Sequence, residues 1–192
     1  MSDLNTVALS SYSARAKGAM FFSVFGSAWL ALWIQRSLQA SWLVYLLIAL
    51  GGLALFCLAC LRNRQYLEFA EEDSPATKKA ARWFHIVNGG QWLLILISSN
   101  VLINLGHAVW VMPVAMLIIG LHFLPLARLF KVPGHLWLGL LISLFAITYP
   151  FLLSGGPADP YGCLGMGLLL WGYALLKLLS IPAIRRQNLS TL

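Results

Sequence analysis

Six long apolar stretches dominate the pattern of hydrophobic and polar positions along the chain. A bilayer core about 30 Å thick requires roughly 20 apolar residues in a helix, so each stretch is a candidate membrane span. None alternates in polarity as a barrel strand does, and lipid cannot satisfy an unpaired backbone, so helices are predicted. The predicted spans cover residues 18–35, 42–61, 84–103, 108–124, 134–153 and 161–181.

Helix-breaking residues mark the links between these spans. Ser74 followed by Pro75 is a typical N-cap and first helical residue, which predicts that the third helix begins before its span. The Pro133-Gly134 pair predicts a tight turn, and residues 154–160 predict a loop. Pro113 and Pro150 fall inside spans and are expected to kink them.

The composition fits a chain that lies mostly in lipid. Hydrophobic residues make up 60% and charged residues 10%, against about 45–50% and about 25% in an average soluble domain. A soluble fold of this length could not bury so much apolar surface. The sequence therefore predicts a single all-α transmembrane domain, a bundle of six helices, over residues 1–192.

The basic residues predict how the bundle is oriented. Eleven Lys and Arg residues lie on one side if the spans alternate, and only Arg36 lies on the other. The positive-inside rule then places both termini in the cytoplasm. The net charge of +7 does not indicate nucleic-acid binding, because the basic residues form short clusters between apolar runs. The apolar stretch after Lys17 is longer than that of a cleaved signal peptide, so we expect it to remain as a span.

The longest link is a predicted cytoplasmic hairpin over residues 62–83. It holds five basic and four acidic residues. Mixed charge ordinarily just solvates an exposed segment, and the alternative is a docking surface for a soluble partner. Besides the lipid bilayer, a second copy of the chain is the other partner left open, since glycines in the second and sixth spans allow close helix approach.

The third span is the most polar, and amides that face lipid lack partners, so we expect this helix in the bundle centre. Its polar residues either bond neighbouring helices or line a polar cavity. Lys177 lies near the end of the sixth span, where snorkelling to the headgroups is the alternative to a cavity role. The cavity-lining candidates are His85, Asn88, Gln91, Ser98, Asn100, Asn104, His122 and Lys177.

Histidines and cysteines recur at one predicted depth near the cytoplasmic face. Imidazole and thiolate bind zinc, copper or haem iron, so a transition-metal or haem site is one hypothesis. The alternative is that the histidines meet water and the cysteines simply pack, and no cofactor is our first expectation. The candidate ligands are Cys57, Cys60, His85, His122 and His135.

The sequence lacks the residues that several catalytic chemistries require. No Asp or Glu lies within the six spans, which disfavours a carboxylate proton relay and an intramembrane aspartyl protease. No Gly-x-Ser-x-Gly or Walker motif occurs. An enzyme is therefore not the first expectation.

The stretch 120–130, which reads GLHFLPLARLF and is followed by Pro133, resembles a motif in small bacterial multi-pass inner-membrane proteins of unknown function. The resemblance covers about a dozen residues and implies a bacterial inner-membrane location. It draws attention to His122, Pro125 and Arg128. We expect Pro125 to end the span and Arg128 to contact a headgroup or another anion.

Three functions remain open from the sequence. The first is a small-solute channel or permease, favoured by the polar third span. The second is an accessory, sensor or scaffold subunit without enzymatic activity, favoured by the charged hairpin. The third is a metal- or haem-binding redox protein at the cytoplasmic leaflet.

Overall fold

The computed structural model describes residues 2–37, 41–67 and 75–182, with side chains from residue 9 and excluding those of 75–77. The described residues form helices and turns without a β-strand. Six of the helices are long and apolar enough to cross a bilayer, which confirms the predicted all-α fold with six candidate spans. They are α1 (Ser2–Arg36), α2 (Trp42–Gln65), α3 (Pro75–Asn104), α4 (Val111–Leu129), α5 (Pro133–Leu152) and α6 (Tyr161–Leu179).

The prolines affect these helices in different ways. Pro75 begins α3 and Pro133 begins α5, where a missing N–H costs nothing. Pro150 lies inside α5 as predicted. The expectation that Pro125 ends the fourth helix was wrong, because α4 continues to Leu129. Leu126 and Ala127, directly after Pro125, are buried, and this packing stabilises the last turn despite the lost hydrogen bond.

Four helices form the centre and two flank it. The closest pairs are α1 with α6 and α4 with α5, and these two pairs face each other across the core. Helix α2 packs against α1 from outside, and α3 packs mainly against α4. The end of the bundle where α5 begins and α6 ends carries Arg15 and Lys177, and we call it the basic end.

Glycines set the distances within both central pairs. A Cβ on Gly139 of α5 would lie 2.6 Å from the carbonyl oxygen of Gly120 of α4. A Cβ on Gly167 of α6 would lie 3.0 Å from the carbonyl oxygen of Gly26 of α1. Lipid provides no hydrophobic force between helices, so close backbone packing of this kind stabilises the bundle.

Trp171 of α6 packs against both α1 and α2. Its indole occupies the space left by Gly26 and Gly51, where an added Cβ would collide with the ring. The indole N–H lies 3.1 Å from the carbonyl oxygen of Ser23 and 3.2 Å from Oγ of Ser27, so it donates into α1.

Four rings from four helices close the core toward the basic end. Phe22 of α1 lies 5.7 Å from Phe123 of α4 and 5.0 Å from Tyr173 of α6, measured between ring centroids. His135 of α5 lies about as close to all three rings. This aromatic cluster, with Met116 and Met166 fully buried farther along the helices, leaves the bundle axis filled with apolar side chains.

A second, smaller hydrophobic core lies nearer the basic end than this aromatic cluster. Tyr66, at the end of α2, packs with Ala16 of α1 and with Ile181, which follows α6. The phenol donates a hydrogen bond of 2.7 Å to the carbonyl oxygen of Pro182. Burial raises the pKa of Tyr66 above its ordinary value, so the hydroxyl stays a donor at neutral pH.

Candidate ligand cleft

Helix α3 lies at the periphery of the bundle, so its expected central position was wrong. Few of its residues are buried, and most of its apolar side chains face outward. Two of its amides do not require neighbouring helices, since Asn100 donates to the carbonyl oxygen of Leu96 and Asn104 to that of Asn100, both at 2.8 Å. A helix whose amides bond their own backbone can stand next to lipid.

A cleft of about 380 Å³ separates α3 from α1. Helix α4 forms its floor, with Leu170 of α6 at the back. Phe21 of α1 and Trp92 of α3 stand at its rim and are exposed, so the cleft opens sideways, toward lipid in a membrane. Its volume falls in the range of small-molecule sites, about 300–1,000 Å³.

The walls of the cleft are helix faces with regular spacing. Helix α1 presents Phe21, Phe25, Ala28, Trp29 and Leu32, which recur every three or four residues on one face. Helix α3 presents Asn88, Gln91, Trp92 and Ile95 with the same periodicity. Helix α4 presents Val111, Met112, Ala115, Ile119, His122 and Phe123.

Most of this wall is apolar, and three of its residues carry polar side chains. Asn88 and Gln91 come from α3, while His122 comes from α4. Both ring nitrogens of His122 are buried; no described side chain bonds them, and the backbone of Ile119, three residues earlier on α4, is the group that acts on the ring. An unsatisfied buried polar group costs about 1–3 kcal/mol, so a partner supplied by a ligand would recover this energy.

The cleft contains three of the eight predicted cavity residues, namely Asn88, Gln91 and His122. His85 is exposed, although it contacts the ring of Phe84. Ser98 bonds the backbone of its own helix, as Asn100 and Asn104 do. Lys177 lies at the basic end on α6, and Arg128 is exposed near the end of α4.

The candidate metal ligands are spread over four helices. Cys57 and Cys60 lie on α2 and His85 on α3, and these two helices flank opposite sides of the centre. His122 and His135 both contact Phe123, but no third ligand joins them within the described residues. The three-dimensional arrangement thus separates groups that share one predicted depth.

The aromatic residues of the cleft were not singled out from the sequence. Phe21, Phe25 and Trp29 recur at a spacing of four, which places them on one face of α1. In a chain this apolar, such a stripe is equally typical of packing against another helix. The missing information was that α3 stands away from α1.

The chain was compared with known proteins. No protein-family model, no curated protein and no solved structure matches it.

Proposed function

We propose that the protein binds an uncharged lipid with a hydroxyl or carbonyl group, which enters the cleft between α1 and α3 from the bilayer. The observation that carries this proposal is His122, whose buried ring nitrogens have no side-chain partner among the described residues, in a mostly apolar wall. One imidazole nitrogen donates and the other accepts when the ring is neutral, so a hydroxyl group would suit either.

The absence of charge in the wall supports an uncharged ligand. Among the described residues that line the cleft, none is Lys, Arg, Asp or Glu. A phosphate or carboxylate head buried there would lack a counter-charge, and burial of an unpaired ion is costly. Gln91, which is buried, and Asn88 are available to bond a neutral head.

The position of the cleft supports access from lipid. Its open side lies between spanning segments, at the level of exposed apolar residues such as Phe21 and Trp92. An acyl or isoprenoid chain could remain in the bilayer while its head reaches His122. A ligand of this kind never has to leave apolar surroundings, which lowers the barrier to binding.

Passage of a polar solute along the bundle axis has less support. The central side chains around Met116, Ile142 and Met166 are fully buried and apolar, and the aromatic cluster closes the axis toward the basic end. The small-solute permease stays a prediction, to be tested by flux in liposomes. The cleft instead favours carriage or sensing of a lipid.

We also propose that the basic end faces the cytoplasm of a bacterial inner membrane. The positive-inside rule supports the orientation. The local resemblance of residues 120–130 supports the location. Cysteine accessibility at each end of the bundle in intact cells would test the orientation.

The test is photolabelling with hexadecanol that carries a diazirine in its chain, in phosphatidylcholine nanodiscs. We expect label on cleft residues such as Phe25 and Ile119, mapped by mass spectrometry. Unlabelled hexadecanol should compete, whereas hexadecane and hexadecyl phosphate should compete at least about tenfold less well, since a lost or mismatched hydrogen bond costs roughly 1.4 kcal/mol or more.

The matched variants are His122→Leu and Asn104→Leu. The first removes the proposed partner of the head and should abolish cleft labelling. The second removes a polar group from the exposed end of α3 and should leave labelling unchanged. Equal labelling of the outer faces of α2 and α3, unaffected by His122→Leu, would contradict the proposal.

A further inference from the structure

A second group of chemically active side chains lies at the basic end, on the far side of the Phe22–Phe123 contact from the cleft. Lys177 of α6 is half-buried, and its Nζ lies 5.0 Å from the centroid of the Tyr173 ring. The hydroxyl of Tyr173 lies 3.5 Å from Nδ1 of His135 on α5. Arg15 of α1 lies at the same end, partly buried, with its guanidinium carbon 5.4 Å from the centroid of the Tyr12 ring.

Gly134 allows these groups to reach the first turn of α5. A Cβ there would lie 2.7 Å from the Tyr173 hydroxyl oxygen and 3.5 Å from Nζ of Lys177. Val132, the N-cap of α5, provides no side-chain hydrogen bond to this turn. Pro133 has no N–H and the N–H of His135 donates to the carbonyl oxygen of Val132 at 3.0 Å, so the N–H of Gly134 is the first-turn group that can add partial positive charge to that of the two cations.

The orientation of Lys177 distinguishes this group from ordinary snorkelling. A snorkelling lysine extends away from the protein toward water. Lys177 instead folds over the Tyr173 ring and toward the backbone of α5. It lies at the same end of the bundle as Arg15, a residue of the same charge.

No carboxylate among the described side chains neutralises this charge. The only one described is Asp159, which lies at the opposite end of the bundle. Its oxygens accept hydrogen bonds from the backbone N–H groups of Gly155 and Tyr161. Two cations held together in a partly buried place are stabilised when an anion lies between them.

We propose that Arg15, Tyr173, Lys177 and the first turn of α5 bind an anion of phosphate chemistry. Guanidinium, ammonium, phenol and backbone N–H groups all donate to phosphate oxygens. Lys177 lies near the last residue of α6 and Gly134 near the first of α5, so the site is at headgroup depth. A phospholipid headgroup and inorganic phosphate share this chemistry. The site is independent of the cleft.

The experiment measures the thermal unfolding midpoint of the protein in phosphatidylcholine nanodiscs without phosphate. Inorganic phosphate and dioctanoyl phosphatidylglycerol are titrated separately. We expect a saturable rise in the midpoint with at least one of them. A response to the lipid alone identifies a headgroup site, and a response to inorganic phosphate identifies a free-ion site.

Four variants localise the response. Lys177→Gln and Arg15→Gln should each weaken binding about tenfold or more, because each removes a charge-assisted hydrogen bond. Gly134→Ala keeps every charge but crowds the Tyr173 hydroxyl, and it tests the same site if a charge variant fails to fold. Arg64→Gln removes an exposed charge of α2 and should change nothing.

Two results would overturn the proposal. One is a midpoint that neither anion changes. The other is an Arg64→Gln variant that weakens the response as much as Lys177→Gln does, since diffuse surface charge would then explain the binding.

Discussion

The α4–α5 contact and helix α3 contain the same small residues in opposite surroundings. Gly120 and Gly139 bring two backbones together, so an added Cβ meets a carbonyl oxygen or a neighbouring side chain. Gly89 and Gly90 of α3 have nothing within 4 Å of an added Cβ. A glycine in a membrane helix therefore does not by itself indicate a packing surface.

The polar residues likewise show that residue type alone does not indicate the surroundings of a side chain. Ser143 of α5 is buried at the glycine contact, and its hydroxyl has no hydrogen-bond partner among the described residues. Asn100 and Asn104 of α3 are exposed, yet both amides are bonded to their own helix. Satisfaction of a polar group depends on local geometry as well as on depth within the bundle.

The sharpest test of this comparison is a Cβ-branched residue at each kind of glycine. Gly139→Val should lower the free energy of unfolding by about 3 kcal/mol, because its Cβ would lie too close to the Gly120 carbonyl oxygen. Gly90→Val should change it by less than about 1 kcal/mol. Unfolding in mixed micelles with increasing dodecyl sulfate measures both. Similar losses in the two variants would show that α3 packs as tightly as α5.

A smaller loss of stability is expected when the contact of α6 with α1 and α2 is weakened. Trp171→Phe should cost about 2 kcal/mol, because it removes the indole N–H bonds to Ser23 and Ser27 and leaves space beside Gly51. Trp137→Phe changes an exposed ring of α5 and should cost less than about 0.5 kcal/mol. Equal losses, read by the same unfolding titration, would exclude an anchoring role for Trp171.

We expect His122 to lower the stability of the free protein while it contributes to ligand binding. His122→Leu removes two buried ring nitrogens that no described side chain bonds and should raise the free energy of unfolding by about 1 kcal/mol in the absence of ligand. His85→Leu alters an exposed histidine of α3 and serves as the control, with little change expected. The unfolding midpoint in delipidated detergent measures both. A destabilised His122→Leu would mean that the imidazole has a partner in the free protein.

The smallest effect is expected at the C-terminal end of α3. Asn104→Leu should change the free energy of unfolding by less than about 0.5 kcal/mol, because its amide bonds only the carbonyl oxygen of Asn100. The same substitution at Gln91, which is buried beside the cleft, should have a larger effect of either sign. If Asn104→Leu proves the more disruptive in unfolding titrations, α3 contacts something beyond the described residues.

Some of the candidate site was predictable from the sequence and some was not. Asn88, Gln91 and His122 were predicted as cavity residues because polar groups within spans are rare and need partners. Asn100, Asn104 and Ser98 followed from the same argument, but their own helix supplies the acceptors. Phe25 and Trp29 could not be predicted as cleft residues, because apolar residues recur on α1 with the same spacing whether the helix packs against a neighbour or lines a cleft.

The sequence by itself determined that the chain forms six helices long and apolar enough to span a membrane. Length and apolarity suffice for this, because lipid requires every backbone group to be bonded within its own helix. It also determined where those helices are separated, through residues such as Pro133 and Gly156.

Only the tertiary structure decided which helices meet. Six apolar helices can be arranged in many ways with similar hydrophobic burial, and lipid does not favour one apolar face over another. The choice rests on close contacts such as Gly120 with Gly139 and on the fit of Trp171 between glycines. These contacts involve residues far apart in the chain, and so does the cleft that they leave between α1 and α3.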